Sequence, residues 1–128
     1  MNIINNKMPS YKLLYFNVKA RGEPIRFLFA IAGVTYEDKR VNGEEWGKIK
    51  PTTTLGQLPI LYVDGKEVPQ SRAINRLVAR DLGLYGSNTW EQALIDVVCE
   101  TVDEVWPAVA GIFMEKDEAK KDELRKKF

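Results

Sequence analysis

An α/β chain with the element order βαβ-α-ββα, followed by one long helix, is what this sequence predicts. Three observations carry the expectation. The runs Tyr11–Phe16 and Thr35–Val41 read as strands around a single helical segment, the sequence form of a right-handed parallel crossover. Asp64-Gly65 separates two short apolar runs, and both central positions of the favoured hairpin turn need positive φ. From about Thr89 the apolar spacing changes to sustained steps of three and four residues.

The elements follow in order. Tyr11-Lys12-Leu13-Leu14-Tyr15-Phe16 is apolar enough for a sheet covered on both sides. A polar loop, Asn17 to Gly22, leads to Glu23-Pro24, with proline well placed in a first helical turn. Ile25 to Ala32 continues that helix, and Gly33 supplies the left-handed residue that ends it. A second strand spans Thr35–Val41, and a short helical turn over Glu44–Ile49 carries Trp46. Pro59 cannot donate to a ladder, so it belongs at the entry of the next strand, where a cis bond is expected. The hairpin then ends at Gln70-Ser71. Ser71 reads as the N-cap of a helix with Ala73, Ile74, Leu77, Val78 and Leu82 on one face, ending near Gly83. This is the thioredoxin-like order.

After Leu84 the character changes. Thr89 to Lys116 forms one long helical pattern with Leu94, Val97, Thr101, Val105, Ala108 and Ile112 along a stripe. Pro107 should kink it, since the carbonyl of Asp103 loses its donor. Glu115 to Phe128 reads as a solvated helical end with opposite charges four apart, Asp117/Lys121 and Asp122/Lys126.

Composition narrows the function. The 128 residues are 45% hydrophobic and 29% charged, with 19 basic and 18 acidic side chains well mixed. Nucleic acid is a poor partner for such a chain, because phosphate binding needs a clustered positive field. No run is long and apolar enough for a membrane span, and residues 1–7 lack a signal peptide's hydrophobic region. The single cysteine, Cys99, cannot close an internal disulfide, so a cytoplasmic location is the expectation. Without histidine the usual neutral-pH acid–base group is missing, and one cysteine excludes a Cys-x-x-Cys redox pair. Catalysis here must use tyrosine, arginine, carboxylates or a group carried by the ligand. The stretch Gly56 to Ser71 offers exposed backbone around Pro59 beside a helix N-terminus, which suits a small, anionic, peptide-like ligand.

Several blocks then resemble one family. Pro9 to Asn17, Gly22-Glu23-Pro24-Ile25-Arg26, Gly56 to Leu61, Val63 to Lys66 and Gln70 to Ile74 are similar, in register, to the glutathione transferases. The resemblance is to the sigma class, which includes the haematopoietic-type prostaglandin D synthases. Met8-Pro9 matches the family's usual start, which makes residues 1–7 an N-terminal extension. Residues 8–84 would then be the thioredoxin-like glutathione-binding domain. Residues 85–128 would be a linker and the first long helix of the all-helical second domain, whose later helices lie beyond Phe128 in the family.

The resemblance implies roles. Tyr15 matches the catalytic tyrosine, whose hydroxyl stabilises the glutathione thiolate; a free thiol has a pKa near about 8.5 and needs such help. Arg21 matches an arginine that supports the site electrostatically. In Lys19-Ala20-Arg21-Gly22 the small residues are exchanged relative to the family's usual Gly-Arg-Ala. Phe16 adjoins the tyrosine. Trp46, Lys50 and Gln57 resemble the group that holds the glycine end of glutathione. Leu58 and Pro59 present backbone to the cysteinyl unit, and Gln70 and Ser71 receive the γ-glutamyl carboxylate. Glu100, Asp103 and Glu104 share one helical face. In the family an acidic residue here reaches the partner subunit's glutathione, which points to Asp103 or Glu104 and to a homodimer. The same resemblance allows a Mg²⁺ or Ca²⁺ ion among such carboxylates, though no residue is singled out as a metal ligand.

The implied reaction is transfer of the glutathione thiolate to a small hydrophobic electrophile, or a peroxide isomerisation of the prostaglandin type. The competing expectation is a non-catalytic, glutathione-binding or crystallin-like relative. A glutaredoxin-like oxidoreductase fails for want of a cysteine at the first helix. Leu14 and Asn75 depart from the family's usual residues.

Overall fold

The structure, a computed structural model, describes residues 7–127. The extension expected over residues 1–7 therefore lies, Lys7 apart, outside the described residues. The chain divides into two compact units, Met1–Leu84 and Tyr85–Phe128.

The first unit contains β1 (Tyr11–Phe16), α1 (Glu23–Ala32), β2 (Glu37–Val41), α2 (Gly43–Ile49), β3 (Ile60–Val63), β4 (Lys66–Pro69) and α3 (Ser71–Asp81). The strands form one sheet in the order β2-β1-β3-β4. β1 runs parallel to β2, with Tyr15 opposite Arg40, and antiparallel to β3, with Leu14 opposite Ile60. This is the thioredoxin-like βαβαββα arrangement expected from the sequence. Alternation along β1 sorts its side chains between two apolar clusters. Tyr11, Leu13 and Tyr15 pack with Ile25 and Phe29 of α1, Leu61 of β3, and Ile74 and Val78 of α3. Leu14 packs with Val41 and Ile60 beside Trp46 and Ile49 of α2. The sheet is covered on both faces, as the apolar β1 requires.

Local signals explain the boundaries. Pro24 lies in the first turn of α1, and Gly33, at φ 66°, ends that helix. The Asn42 side chain caps α2 by accepting from the Glu45 amide at 2.8 Å. β2 is shorter than the sequence suggests, starting at Glu37 rather than Thr35. Asp64 and Gly65 both have positive φ, as their hairpin turn demands, and the Leu58–Pro59 peptide is cis.

One cap differs from expectation. Ser71 is not the N-cap of α3 but its first helical residue; Gln70 occupies the cap position at φ 76°, without a side-chain capping bond. β4 persists to Pro69, so a single residue must turn the chain from strand to helix. Ser71 is thereby drawn inward and buried, whereas Ala73, expected on the apolar face, is exposed.

The second unit contains α4 (Thr89–Met114) and α5 (Glu118–Lys126). Asn88 caps α4 by accepting from the Glu91 amide at 2.9 Å. The helix runs through Pro107 without a break in its span. The solvated end is not continuous with it: α4 stops at Met114, and Asp117 caps a separate α5 by accepting from the amides of Ala119 and Lys120. That use of its carboxylate makes Asp117 a cap rather than the expected partner of Lys121, which stands 3.9 Å from Glu118. Arg125 likewise pairs with Asp122 at 3.0 Å, three residues away.

Candidate active site

Six residues from separate stretches of the first unit line one cleft of about 490 Å³: Arg21, Gln57, Leu58, Pro59, Gln70 and Ser71. All six are residues that the sequence singled out. Arg21 comes from the tight turn Ala20–Gly22 that precedes α1. Gln57, Leu58 and Pro59 come from the loop entering β3, and Gln70 and Ser71 from the start of α3.

The loop is fixed by its threonines. The Thr52 hydroxyl donates to the Ile49 carbonyl at 2.6 Å and that of Thr53 to the Lys50 carbonyl at 2.8 Å. The Gly56 amide donates to the Thr53 hydroxyl at 3.1 Å, and the Thr54 amide to Glu67 of β4 at 2.9 Å. The segment leading to Leu58 is thus tied both to the end of α2 and to the hairpin. On the opposite rim, α3 begins at Ser71, and the first amides of any helix lack intrahelical acceptors and carry partial positive charge. A cation, two carboxamides, a hydroxyl and a helix N-terminus around apolar Leu58 and Pro59 suit a ligand with carboxylates and amides.

The remaining candidates fall around this cleft or apart from it. Tyr15 is buried in the cluster between sheet and helices, at 6% exposure, and is not among the six lining residues. Its ring tilts against Phe16 at 5.8 Å between centroids, and Phe16 meets Trp46 edge-on at 6.4 Å. Lys50 follows α2, its amide donating to the Trp46 carbonyl, and its stem lies alongside Gly56. Asp103 and Glu104 belong to α4 in the second unit. Among the described residues no group of three His, Cys, Asp or Glu side chains could hold a metal ion. Glu100, Asp103 and Glu104 therefore form no cation site within one chain, because a shared helical face does not bring their carboxylates together as a ligand set.

Sequence reasoning assigned no role to two residues beside Tyr15. Arg26 of α1 is 6% exposed and donates to the Val18 carbonyl at 2.7 Å, the Phe16 carbonyl at 3.1 Å, Glu23 at 3.1 Å and Asp38 at 3.3 Å. Arg40 adds bonds to Asp38 at 2.9 Å and to the Asn17 side chain at 2.7 Å. Together they fasten the chain as it leaves β1. The signal for Arg26 was its position next to Ile25 on the helix face that must meet the sheet, three residues after Glu23. Gly22, the second, abuts the Tyr15 ring.

The chain as a whole has known relatives. Residues 9–80 match the family model for the glutathione S-transferase N-terminal domain. The chain is 53% identical over 97 residues to hematopoietic prostaglandin D synthase of Gallus gallus, covering 76% of this chain and 49% of that protein. It is 44% identical over 122 residues to S-crystallin SL11 of Nototodarus sloanii, covering 94% and 60%. Among solved structures, the Fasciola hepatica sigma class transferase is similar with a TM-score of 0.84 and 35% identity, covering 94% of this chain and 59% of that one. The chain spans between 45% and 60% of the length of the curated relatives it matches.

Proposed function

Because this chain belongs to the glutathione S-transferase family and has relatives in more than one of its classes, we propose that it binds glutathione in the cleft between Arg21, Leu58 and Ser71. There it activates the thiol for transfer to a small hydrophobic electrophile. The observation that carries this reading is that six residues to which the resemblance gives roles line one cleft.

In the proposed complex, Gln70 and Ser71 receive the γ-glutamyl carboxylate at the start of α3. Leu58 pairs its backbone with the cysteinyl unit as a strand would, beside Pro59. Gln57, Lys50 and Trp46 hold the glycine carboxylate, lysine by charge and the indole by its N–H. Phe16 packs beside Tyr15, and Arg21 supplies positive charge. The Tyr15 hydroxyl donates to the sulfur, which favours the thiolate over the thiol. The thiolate attacks an electrophilic carbon; a C–S bond forms, the leaving group departs with its electron pair, and the thiol proton passes to solvent.

The proposed class is sigma, supported by the similarity to the fluke enzyme and to the prostaglandin synthase. The reading extends to a homodimer in which Asp103 or Glu104 of one subunit meets the glutathione amine held by the other. A single cysteine accords with a cytoplasmic setting, and no helix among the described residues is long and apolar enough to cross a membrane.

Similarity to an S-crystallin favours a second reading, in which glutathione binds without turnover. Initial rates of conjugation to a generic aryl halide, beside calorimetric titration with glutathione, separate the two. The transferase reading expects a measurable rate that falls about 100-fold in Tyr15→Phe with glutathione binding kept. Binding without any rate in the folded chain would transfer the assignment to the second reading.

A further inference from the structure

We propose that Thr53 and Glu67 are positioning residues that hold Lys50 and Gln57 in place for the glycine carboxylate of glutathione. This assignment rests on glutathione binding in the cleft as proposed above.

Thr53 to Gln57 belongs to no helix or strand. Such a segment must take its order from bonds that side chains supply. Thr53 supplies two with one hydroxyl, which donates to the Lys50 carbonyl at 2.8 Å and accepts from the Gly56 amide at 3.1 Å. The Thr53 amide donates to the same Lys50 carbonyl at 3.2 Å. Donor and acceptor are thus both engaged across the loop. The residues they fix are Lys50 itself and the immediate neighbour of Gln57.

The Lys50 side chain depends on the same bonds. Gly56 adopts φ 61°, which the absence of a Cβ permits. The Cε of Lys50 lies 3.4 Å from the place a Cβ would take there, so the lysine stem rests on the glycine that Thr53 holds. Glu67 secures the loop from its other side. It stands on β4 opposite Tyr62 of β3 and accepts from the Thr54 amide at 2.9 Å, across 13 residues of chain.

Leu58 and Pro59 do not need these ties. Leu58 packs against both apolar clusters, and Pro59 is buried. The loop bonds therefore bear on the glycine end of the ligand and not on its cysteinyl end.

The test is calorimetric titration of the full chain with glutathione and with γ-glutamylcysteine, which lacks the glycine. Conjugation kinetics and thermal melts accompany it. Thr53→Val keeps the shape of the side chain and removes its hydroxyl. It is expected to weaken glutathione about 5- to 20-fold, and γ-glutamylcysteine by no more than about twofold. The KM for glutathione should rise to match, with kcat at saturation within about twofold, because Tyr15 is untouched. Thr53→Ser restores the hydroxyl and should recover the affinity.

Equal weakening of both peptides, no weakening of either, a fall in kcat with KM unchanged, or no recovery in Thr53→Ser would overturn the positioning role. If Thr53→Val does not fold, Glu67→Ala takes its place, with an expected loss for glutathione of about 3- to 10-fold. Glu67→Gln should recover it, since its side-chain oxygen accepts the same bond. Unchanged glutathione affinity in Glu67→Ala then overturns the role. A native chain that binds neither peptide refutes the reading beneath and this role with it. A native chain that binds glutathione, with variants that bind it equally well, refutes the positioning role alone.

Discussion

Tyr11 and Tyr15 lie four residues apart on the same face of β1, both in one apolar cluster. The Tyr11 hydroxyl donates to Asp81 at the end of α3, at 2.8 Å. Burial, and then the Asp81 carboxylate, push its pKa up from 10.0 to about 12. A phenol whose pKa is raised by folding stabilises the fold fully below the unfolded value and ceases to do so as pH rises through the folded one. The extra stability, up to about 2 kcal/mol, should therefore be lost between pH 10 and about 12. Urea titrations across that range should show a steeper decline for the native chain than for Tyr11→Phe. At neutral pH the same variant should cost about 1.5 kcal/mol for the lost bond to a charged acceptor. Asn75 predicts the opposite sign. Its side-chain oxygen is buried without a hydrogen-bond partner among the described residues, so Asn75→Ala should raise the melting temperature, by about 1 kcal/mol of stability. The burial of Tyr15 was legible from its place in an apolar strand. The contacts of Gly22 and Arg26 with its ring were not, because sequence spacing does not encode those distances.

Side-chain caps fix three of the five α-helix starts among the described residues. Asn42, Asn88 and Asp117 each accept from an amide in the first turn of the helix they open. Asn88→Ala should cost α4 about 1 kcal/mol. Amide hydrogen exchange would report it as faster exchange over Glu91 and Gln92, with α3 unaffected. The start of α3 misled because a serine before an apolar stripe is normally an N-cap. Here β4 runs so far that Gln70 turns the chain at positive φ and Ser71 enters the helix. The break between α4 and α5 was hidden for another reason. Lys and Glu favour helix on both sides of it, and only the capping preference of Asp117 marked a new start. The charge pairs shifted accordingly, from four residues apart to three.

Across the molecule, apolar burial is uneven. The first unit closes two clusters over its sheet, whereas no residue of α4 is buried. Leu94, Val97 and Val105 of the expected stripe remain at least 42% exposed, as do Val98 and Val102 beside it. The periodicity was plain in the sequence; what it packs against was not, since one helix cannot cover its own stripe. An exposed stripe of this kind binds apolar dyes and promotes association. Dye fluorescence of the 128-residue chain should therefore be high, and the pair Val98→Lys and Val102→Lys should lower it without changing glutathione binding. The central claim is that glutathione bound to this chain is held as a thiolate by Tyr15. Its most direct test is the ultraviolet absorbance of the bound thiolate followed across pH, for the native chain and for Tyr15→Phe. We predict a thiol that ionises at least about 1 pH unit below the free value of about 8.5 in the native chain, and near that value in the variant. Coincident titrations for the two proteins, with glutathione bound in both, would contradict it.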